Sequence, residues 1–208
     1  TASHDASKIA YFVPATKQIK VINATTRALI KAVPYTPPYN SVSVRGILWS
    51  PDNTKLLVDK SIIDTVTGTT QPANVDVSQG DWASATTLVT KSCTESALLI
   101  GDASGTWTPR KVVLAGYATS SQSCQKVRAS LDGTKVALPT NVTNSSGSYW
   151  GVKLFTFNID GTNIKKISDK SISQFTFSSD GSQIAYYENG NGLVIAKSDG
   201  SGALSANL

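Results

Sequence analysis

The feature that most constrains the fold is a short aspartate-centred motif that recurs along the chain. In four places an aspartate stands four residues before an apolar run, and these aspartates are Asp5, Asp52, Asp132 and Asp180. Aspartate accepts hydrogen bonds from the amides of a tight turn, and the glycine that follows it in two copies adopts the positive φ that such turns need. Each copy therefore predicts a corner between two antiparallel strands.

A weaker fifth copy lies at 82–89, one residue shorter and without the aspartate. The copies are spaced by roughly 33 to 48 residues, close to the about 40 to 50 residues of one propeller blade. Further Asp-Gly corners at Asp160 and Asp199 end the third strand of the two best copies. We predict an all-β, single-domain propeller over 1–208. Its approximate blades of four strands are 1–36, 42–75, 77–116, 124–169 and 171–208, the first with a short or missing inner strand.

The run Trp49-Ser50-Pro51-Asp52, followed by Lys55-Leu56, resembles the TolB-type, WD40-like β-propeller repeat. The resemblance extends over nearly the whole chain, although only Asp52 has the full Trp-Ser-Pro before it. It implies a propeller fold. Propellers of this kind serve as binding platforms, scaffolds and enzyme lids, so the resemblance leaves the function open.

The two cysteines indicate the compartment. If the strands of each blade alternate in direction, Cys93 and Cys124 lie on the same face of the ring. We predict a disulfide between them, which closes a loop of about thirty residues and stabilises the fold by about 3 to 4 kcal/mol. Two buried thiols are the alternative. Two cysteines and the distant His4 do not make a tetrahedral metal site, so we predict no metal and no cofactor. A disulfide indicates an extracellular or cell-surface location, or else the periplasm.

Other signals of secretion are weaker. The sequence contains no methionine and begins Thr1-Ala2-Ser3, as expected of a chain whose signal peptide has been removed; an arbitrary boundary is the alternative. Asn23, Asn141 and Asn144 match the glycosylation pattern, which a chain rich in Asn, Ser and Thr also matches by chance. The insertion at 140–149 predicts a longer loop in the fourth blade, and Trp150 beside it is our predicted contact residue.

Composition and spacing exclude several classes of function. The 19 basic and 14 acidic residues, a net charge of +5, are scattered, so we predict no nucleic-acid partner. No apolar run approaches the about 18 residues of a membrane span. Asp76, Asp81 and Asp169 lie near the starts of inner strands, but no spacing marks them as the carboxylate pair of a five-bladed glycosidase. We therefore predict no catalytic residues and no enzyme.

The ends of the chain suggest how such a domain is used. An incomplete first blade exposes a strand edge, and such an edge recruits another strand. We predict a structural or adhesive subunit of an extracellular assembly. It associates with protein, including copies of itself, through the seam between residues 1–12 and the C-terminal strand at 202–208. A monomeric ring is one alternative. The other is a soluble glycan- or protein-binding propeller with a funnel near Asp76, Gln79, Ser121 and Asp169.

Overall fold

The structure, a computed structural model, describes residues 1–38, 42–73, 76, 79–91, 97–103, 108–113, 126–143 and 149–206. These residues form antiparallel β-sheets joined by tight turns, and the one helical element among them is the 3₁₀ turn Pro14–Thr16. The expected all-β class is therefore confirmed.

The described strands form five sheets that follow one another along the chain, each built from consecutive strands. Sheet 1 has three strands: β1 (Lys8–Val13), β2 (Gln18–Asn23) and β3 (Leu29–Pro34). Sheet 2 has β4 (Ile47–Trp49), β5 (Lys55–Val58), β6 (Ser61–Asp64) and β7 (Thr70–Pro72). Sheet 3 has β8 (Asp81–Trp82), β9 (Thr87–Lys91), β10 (Ala97–Asp102) and β11 (Arg110–Val113). Sheet 4 has β12 (Arg128–Ala129), β13 (Lys135–Thr143), β14 (Tyr149–Asn158) and β15 (Lys165–Lys166). Sheet 5 has β16 (Ile172–Phe177), β17 (Gln183–Glu188), β18 (Gly192–Lys197) and β19 (Leu204–Ala206).

Sheet 1 carries only a remnant of a fourth, inner strand. Ala2 forms an isolated antiparallel bridge with Ile9. Thr1 and Ala10 exchange two hydrogen bonds, of 2.7 Å from the chain's amino group and 2.9 Å from the Ala10 amide. The residues before the first corner thus pair with β1 over a short stretch, in agreement with the prediction that the first blade has a short inner strand.

The hairpin of sheet 4 differs from the expected loop at 140–149. β13 continues to Thr143 and β14 begins at Tyr149, with Asn141 paired to Val152. The register shifts between Asn141 and Thr143, which is a β-bulge. The β-branched Val142 and Thr143 favour strand, and residues 140–143 and 149 of the insertion lie in the two strands of the hairpin.

The core consists of four hydrophobic clusters, each between two successive sheets. One joins sheets 1 and 2 around Ile19 and Leu56, the next joins sheets 2 and 3 around Leu57 and Leu88. The other two join sheets 3 and 4, and sheets 4 and 5. Neighbouring residues of one strand serve different clusters because side chains alternate between the faces of a sheet. Sheets 2, 3 and 4 are therefore apolar on both faces.

Candidate interaction surfaces

The aspartate corners share one hydrogen-bond pattern. In sheet 4 the Ser130 hydroxyl donates to Asp132 Oδ1 at 2.5 Å and accepts the Lys135 amide at 3.0 Å. Asp132 also accepts the Thr134 amide at 3.1 Å and the Thr134 hydroxyl at 2.8 Å. The same pattern recurs around Asp5, Asp52 and Asp180. These carboxylates are thus used as acceptors inside their own corners.

The corner hydrogen bonds favour the ionised carboxylate. The Ser3 hydroxyl, followed by the amide and hydroxyl of Ser7, lowers the pKa of Asp5 to about 2. Ser178 and then Ser182 do the same for Asp180, whose pKa is also about 2. A hydrogen bond to the charged form of a carboxylate stabilises that form. Both corners therefore stay charged through the ordinary pH range.

Sheet 3 makes its corner without an aspartate. The Ser84 hydroxyl accepts the amide of Thr86 at 3.2 Å and that of Thr87 at 3.0 Å. A serine oxygen caps the same turn more weakly than a carboxylate does. This explains how the degenerate fifth copy of the motif still produces a strand pair.

The outer corners at Asp160 and Asp199 are built alike. Asp160 Oδ1 accepts the amide and hydroxyl of Thr162 at 2.9 and 2.7 Å. Asp199 Oδ1 accepts the amide and hydroxyl of Ser201 at 2.9 and 2.7 Å. In both cases the hydroxyl, then the amide, lowers the pKa of the carboxyl.

The inner segments of all five sheets line one cavity of about 340 Å³. Its wall includes His4 from the N-terminal segment, Trp49 from β4, Asp81 from β8, Arg128 from β12 and Phe177 from β16. Inner segments of all five sheets therefore contribute to this cavity. The His4 ring nitrogen Nε2 lies 3.3 Å from the Trp49 carbonyl oxygen, and the His4 amide donates to Asn53 Oδ1 at 2.7 Å.

Two tryptophans hold neighbouring inner segments together. Trp49 and Trp82 are 4% and 3% exposed. The Trp49 indole donates to the Thr1 carbonyl and the Trp82 indole to the Leu48 carbonyl, each at 3.3 Å. Each side chain thus connects its own sheet to the sheet before it.

The carboxylates considered for catalysis are each paired with a cation. Asp81 Oδ2 lies 3.8 Å from Arg128 and accepts the Ala129 amide at 3.2 Å. Burial raises the pKa of Asp81, while Arg128 opposes that shift. Asp76 accepts Arg45 at 3.0 Å, and Asp169 is paired with Lys166 three residues before it. Among the described residues no group of three His, Cys, Asp or Glu is placed to hold a metal ion.

Arg45 and Arg128 are the site residues that sequence reasoning missed. Arg45 donates its backbone amide to the buried Asp59 at 2.7 Å and its guanidinium to Asp76. Asp59 also accepts the Tyr35 hydroxyl at 3.0 Å, and burial, with Asp59 next, raises the pKa of that phenol. These partners are far apart in sequence, and no local pattern signals them.

Some of the predicted disulfide, glycosylation and contact residues lie outside the described residues, and the others lie in strands. Cys93, Cys124, Asn144 and Ser121 are outside the described residues. Asn23 ends β2, and its side-chain oxygen accepts the amides of Thr25 and Thr26 at 2.9 and 2.8 Å. Asn141 lies in β13, and Trp150 lies in β14. The glycosylation, contact and disulfide assignments stay predictions.

The two end sheets each leave one apolar face uncovered. On sheet 5 the face away from sheet 4 carries Tyr187, Ile195 and Leu204, which are 51%, 42% and 74% exposed. The backbone register places Ile195 opposite Leu204 and beside Ala185. On sheet 1 the face away from sheet 2 carries Tyr11 and Leu29, which are 39% and 57% exposed. Contiguous exposed apolar surface of this kind marks interaction sites.

A groove of about 610 Å³ lies beside β16 and β17 of sheet 5 and is lined by residues of both faces of that sheet, among them Phe175 and Tyr186 from the face that contacts sheet 4. Ala185, Tyr187 and Leu193 form its apolar floor, and Lys126 and Arg128 add positive charge at one side. Burial, and then the nearby Arg128, lowers the pKa of Lys126. The groove therefore combines an apolar floor with a basic margin. In the described part of the chain, no helix is long and apolar enough to span a membrane.

The fold is similar to that of solved WD40-type β-propellers. One is KlAtg21, solved in complex with the coiled coil of AgAtg16: TM-score 0.69, 10% identity, 99% of this chain and 68% of that chain covered. Another is the β-propeller domain of Myceliophteria thermophila Cps50 (Swd1): TM-score 0.61, 12% identity, 95% of this chain covered. The chain spans only 64% of that domain. No protein-family profile and no curated protein sequence matches the chain. The comparison confirms a WD40-like β-propeller fold and leaves the TolB subtype as a prediction.

Proposed function

We propose that the chain is a non-enzymatic, five-bladed WD40-like propeller that acts as a structural or adhesive subunit of an extracellular or cell-surface assembly. In this proposal the five sheets are the blades. Copies of the chain associate through the seam formed by the first and last blades. In this proposal the repeats of the chain are of the TolB type.

The uncovered apolar faces of sheets 1 and 5 carry this proposal. Ile184, on the face of sheet 5 that contacts sheet 4, is fully buried, whereas Tyr187 on the opposite face is 51% exposed. Removing apolar surface from water is favourable by about 25 cal/mol per Å². A second protein surface on these faces would gain this free energy. KlAtg21, one of the similar propellers, was solved with a protein partner, which supports a protein partner here.

The ion pairs described above support a non-enzymatic role. A general acid or base needs a proton that it can exchange with a substrate, and a carboxylate held by an arginine or lysine is held in its charged form. Asp169 is held in this way, since the Lys166 hydrogen bond and charge lower the pKa of its carboxyl; Asp76 accepts a hydrogen bond from Arg45.

Sedimentation-velocity ultracentrifugation at increasing concentration tests the self-association. We expect the mass to rise above the monomer's 21.9 kDa as concentration increases. Tyr187→Lys places a charge in the middle of the uncovered face of sheet 5 and should weaken association at least about tenfold, because burying an unpaired charge is costly. Val66→Lys is the matched control, since Val66 is 66% exposed in a turn of sheet 2, and it should associate like the unmodified chain. A mass that stays monomeric at every concentration would contradict self-association.

The proposed location rests on the predicted Cys93–Cys124 disulfide. Thiol titration of the denatured, unreduced chain measures it directly. No free thiol is expected, and two free thiols would remove this support for an extracellular setting.

The central cavity favours a second candidate, a soluble propeller that binds a glycan or a protein partner. Its wall combines Trp49, Trp82 and Phe177 with the Asp81–Arg128 pair, and aromatic faces beside polar groups are typical of ligand sites. A glycan array would reveal such binding, which Arg128→Ala should abolish.

A further inference from the structure

We propose that copies of the chain associate head to tail, with the uncovered face of sheet 1 in one copy packed on the uncovered face of sheet 5 in the next. This inference rests on the proposed self-association and adds which surfaces meet. It also specifies the symmetry of the assembly.

The four interfaces inside the chain follow one rule of polarity. We call the face of a sheet that points to the sheet before it in the chain its preceding face, and the opposite one its following face. In sheet 2, Leu56 and Val58 lie on the preceding face, four and six residues after Asp52, and Leu57 lies on the following face. In sheet 4 the same positions after Asp132 are Val136 and Leu138 on the preceding face and Ala137 on the following face.

The covered faces of sheets 1 and 5 follow the same rule: sheet 5 is covered on its preceding face and sheet 1 on its following face. Ile184 and Tyr186, four and six residues after Asp180, pack on sheet 4. Ala10, five residues after Asp5, packs on sheet 2. Each internal interface therefore joins a following face to a preceding face.

The two uncovered faces are the unmatched halves of one more such interface. Sheet 1 presents a preceding face, on which Ile9 and Tyr11 occupy the positions four and six residues after Asp5, with Ile22 opposite Ile9. Sheet 5 presents a following face, on which Ala185 and Tyr187 occupy the positions five and seven residues after Asp180. These side chains are apolar except for the two tyrosine hydroxyls, and the same register places Lys20 opposite Tyr11 on the face of sheet 1.

The shapes of the two faces also correspond. Ala185 is small, lines the groove and is paired with Ile195, next to the pair formed by the larger Tyr187 and Leu193. Tyr11, 39% exposed, projects from the middle of the opposite face. An aromatic side chain inserted in a groove is the usual anchor of a protein interface, with its hydroxyl free to reach a polar margin.

Both faces are exposed in the structure, with Tyr11 39% and Tyr187 51% exposed. Pairing sheet 5 with sheet 5 across a two-fold axis would join two following faces, and no internal interface of the described residues is built in that way. A head-to-tail interface is heterologous, and when its rotation does not close it generates an open helical filament. One copy already surrounds its central cavity with five inner segments. Successive copies must therefore be displaced along the axis, which favours the filament.

Two variants with one altered face each provide the test. Tyr11→Lys alters only the face of sheet 1, and Ile195→Lys alters only the face of sheet 5. Each variant alone should stay near 21.9 kDa under conditions in which the unmodified chain forms large species. Mixed in equal amounts, they should form a species of twice that mass and nothing larger, because the mixture contains one intact pair of faces. Tyr11→Thr and Ile195→Thr repeat the experiment if a lysine variant lowers the melting temperature.

The outcomes separate this inference from the proposed function. If Tyr11→Lys alone still forms dimers, sheet 5 packs on sheet 5, and the head-to-tail arrangement is wrong while self-association stands. If the mixture stays monomeric although the unmodified chain associates, the faces do not meet and the inference is wrong. An unmodified chain that is monomeric at every concentration would contradict both.

Discussion

Sheets 2, 3 and 4 are covered on both faces, whereas sheets 1 and 5 are covered on one. The sequence pattern is the same in both groups. In β5, Leu56 and Leu57 point to opposite faces and both are fully buried, whereas in β17 Ile184 is buried and Tyr187 is 51% exposed. Alternating apolar residues on both faces are typical of strands buried between two layers. The difference therefore lies in the number of neighbours, and the end sheets carry the sequence of inner sheets.

The largest expected effect on the unfolding free energy comes from comparing a substitution on a covered face with one on an uncovered face. Leu138 lies between sheets 3 and 4 and is fully buried, so Leu138→Ala should cost about 2 to 5 kcal/mol of unfolding free energy through lost contacts and a cavity. Ile195→Ala on the uncovered face of sheet 5 should change it by less than about 0.5 kcal/mol in the monomer. Urea unfolding followed by tryptophan fluorescence measures both. Equal losses would mean that the face of sheet 5 is covered.

Two turn glycines, one next to an inner interface and one in an end sheet, differ in the same way in the space around them. Gly161 and Gly190 have φ values of 91° and 85°, so alanine is strained at either position. A Cβ at Gly161 would also collide with Cγ1 of Val112, in the core between sheets 3 and 4, whereas a Cβ at Gly190 meets nothing within 4 Å. Gly161→Ala should therefore cost about 1 to 3 kcal/mol more than Gly190→Ala, because overpacking adds to the backbone strain. Urea midpoints of the two variants decide this, and similar midpoints would count against the packing difference.

Alanine substitution of the corner serines should give a smaller difference in stability between an inner sheet, sheet 4, and an end sheet, sheet 5. Ser130, in the corner of sheet 4, is fully buried, while Ser178, in the corner of sheet 5, is half-buried. Ser130→Ala leaves the Lys135 amide without its 3.0 Å acceptor in a place that water does not reach, which costs about 1 to 3 kcal/mol. Ser178→Ala removes the equivalent acceptor of the Gln183 amide, where water can replace it. The loss there should be below about 1 kcal/mol. Thermal unfolding of the pair is the measurement, and a larger loss for Ser178→Ala would reverse the expected order.

The parts of the molecule that could be predicted from the sequence are those set by local interactions. The corners at Asp52 and Asp132 could be read because their hydrogen bonds span only a few residues. Residues 140–143, predicted as part of a loop, lie in β13; the polar Thr140 and Asn141 suggested a loop there, whereas the β-branched Val142 and Thr143 favour strand. The pair between Arg45 and Asp76 joins residues that are 31 positions apart, so no pattern along the chain could reveal it. Nor could the pattern show which sheets lack a neighbour, because every sheet carries the same alternation.

The smallest expected effect is the pH dependence of the corners in the end sheets. The pKa of Asp180 is about 2 in the folded chain, below the about 3.9 of an unfolded aspartate. Because the folded pKa is the lower one, the ionised carboxylate's contribution to stability is fully present above about pH 4 and is lost as pH falls towards about 2. Asp180→Asn retains a side-chain oxygen as acceptor but removes the titration. The difference in melting temperature between the unmodified chain and this variant should therefore be constant from neutral pH down to about pH 4 and shrink below it. A difference that persists unchanged into acid would mean that the carboxylate's charge does not strengthen the corner.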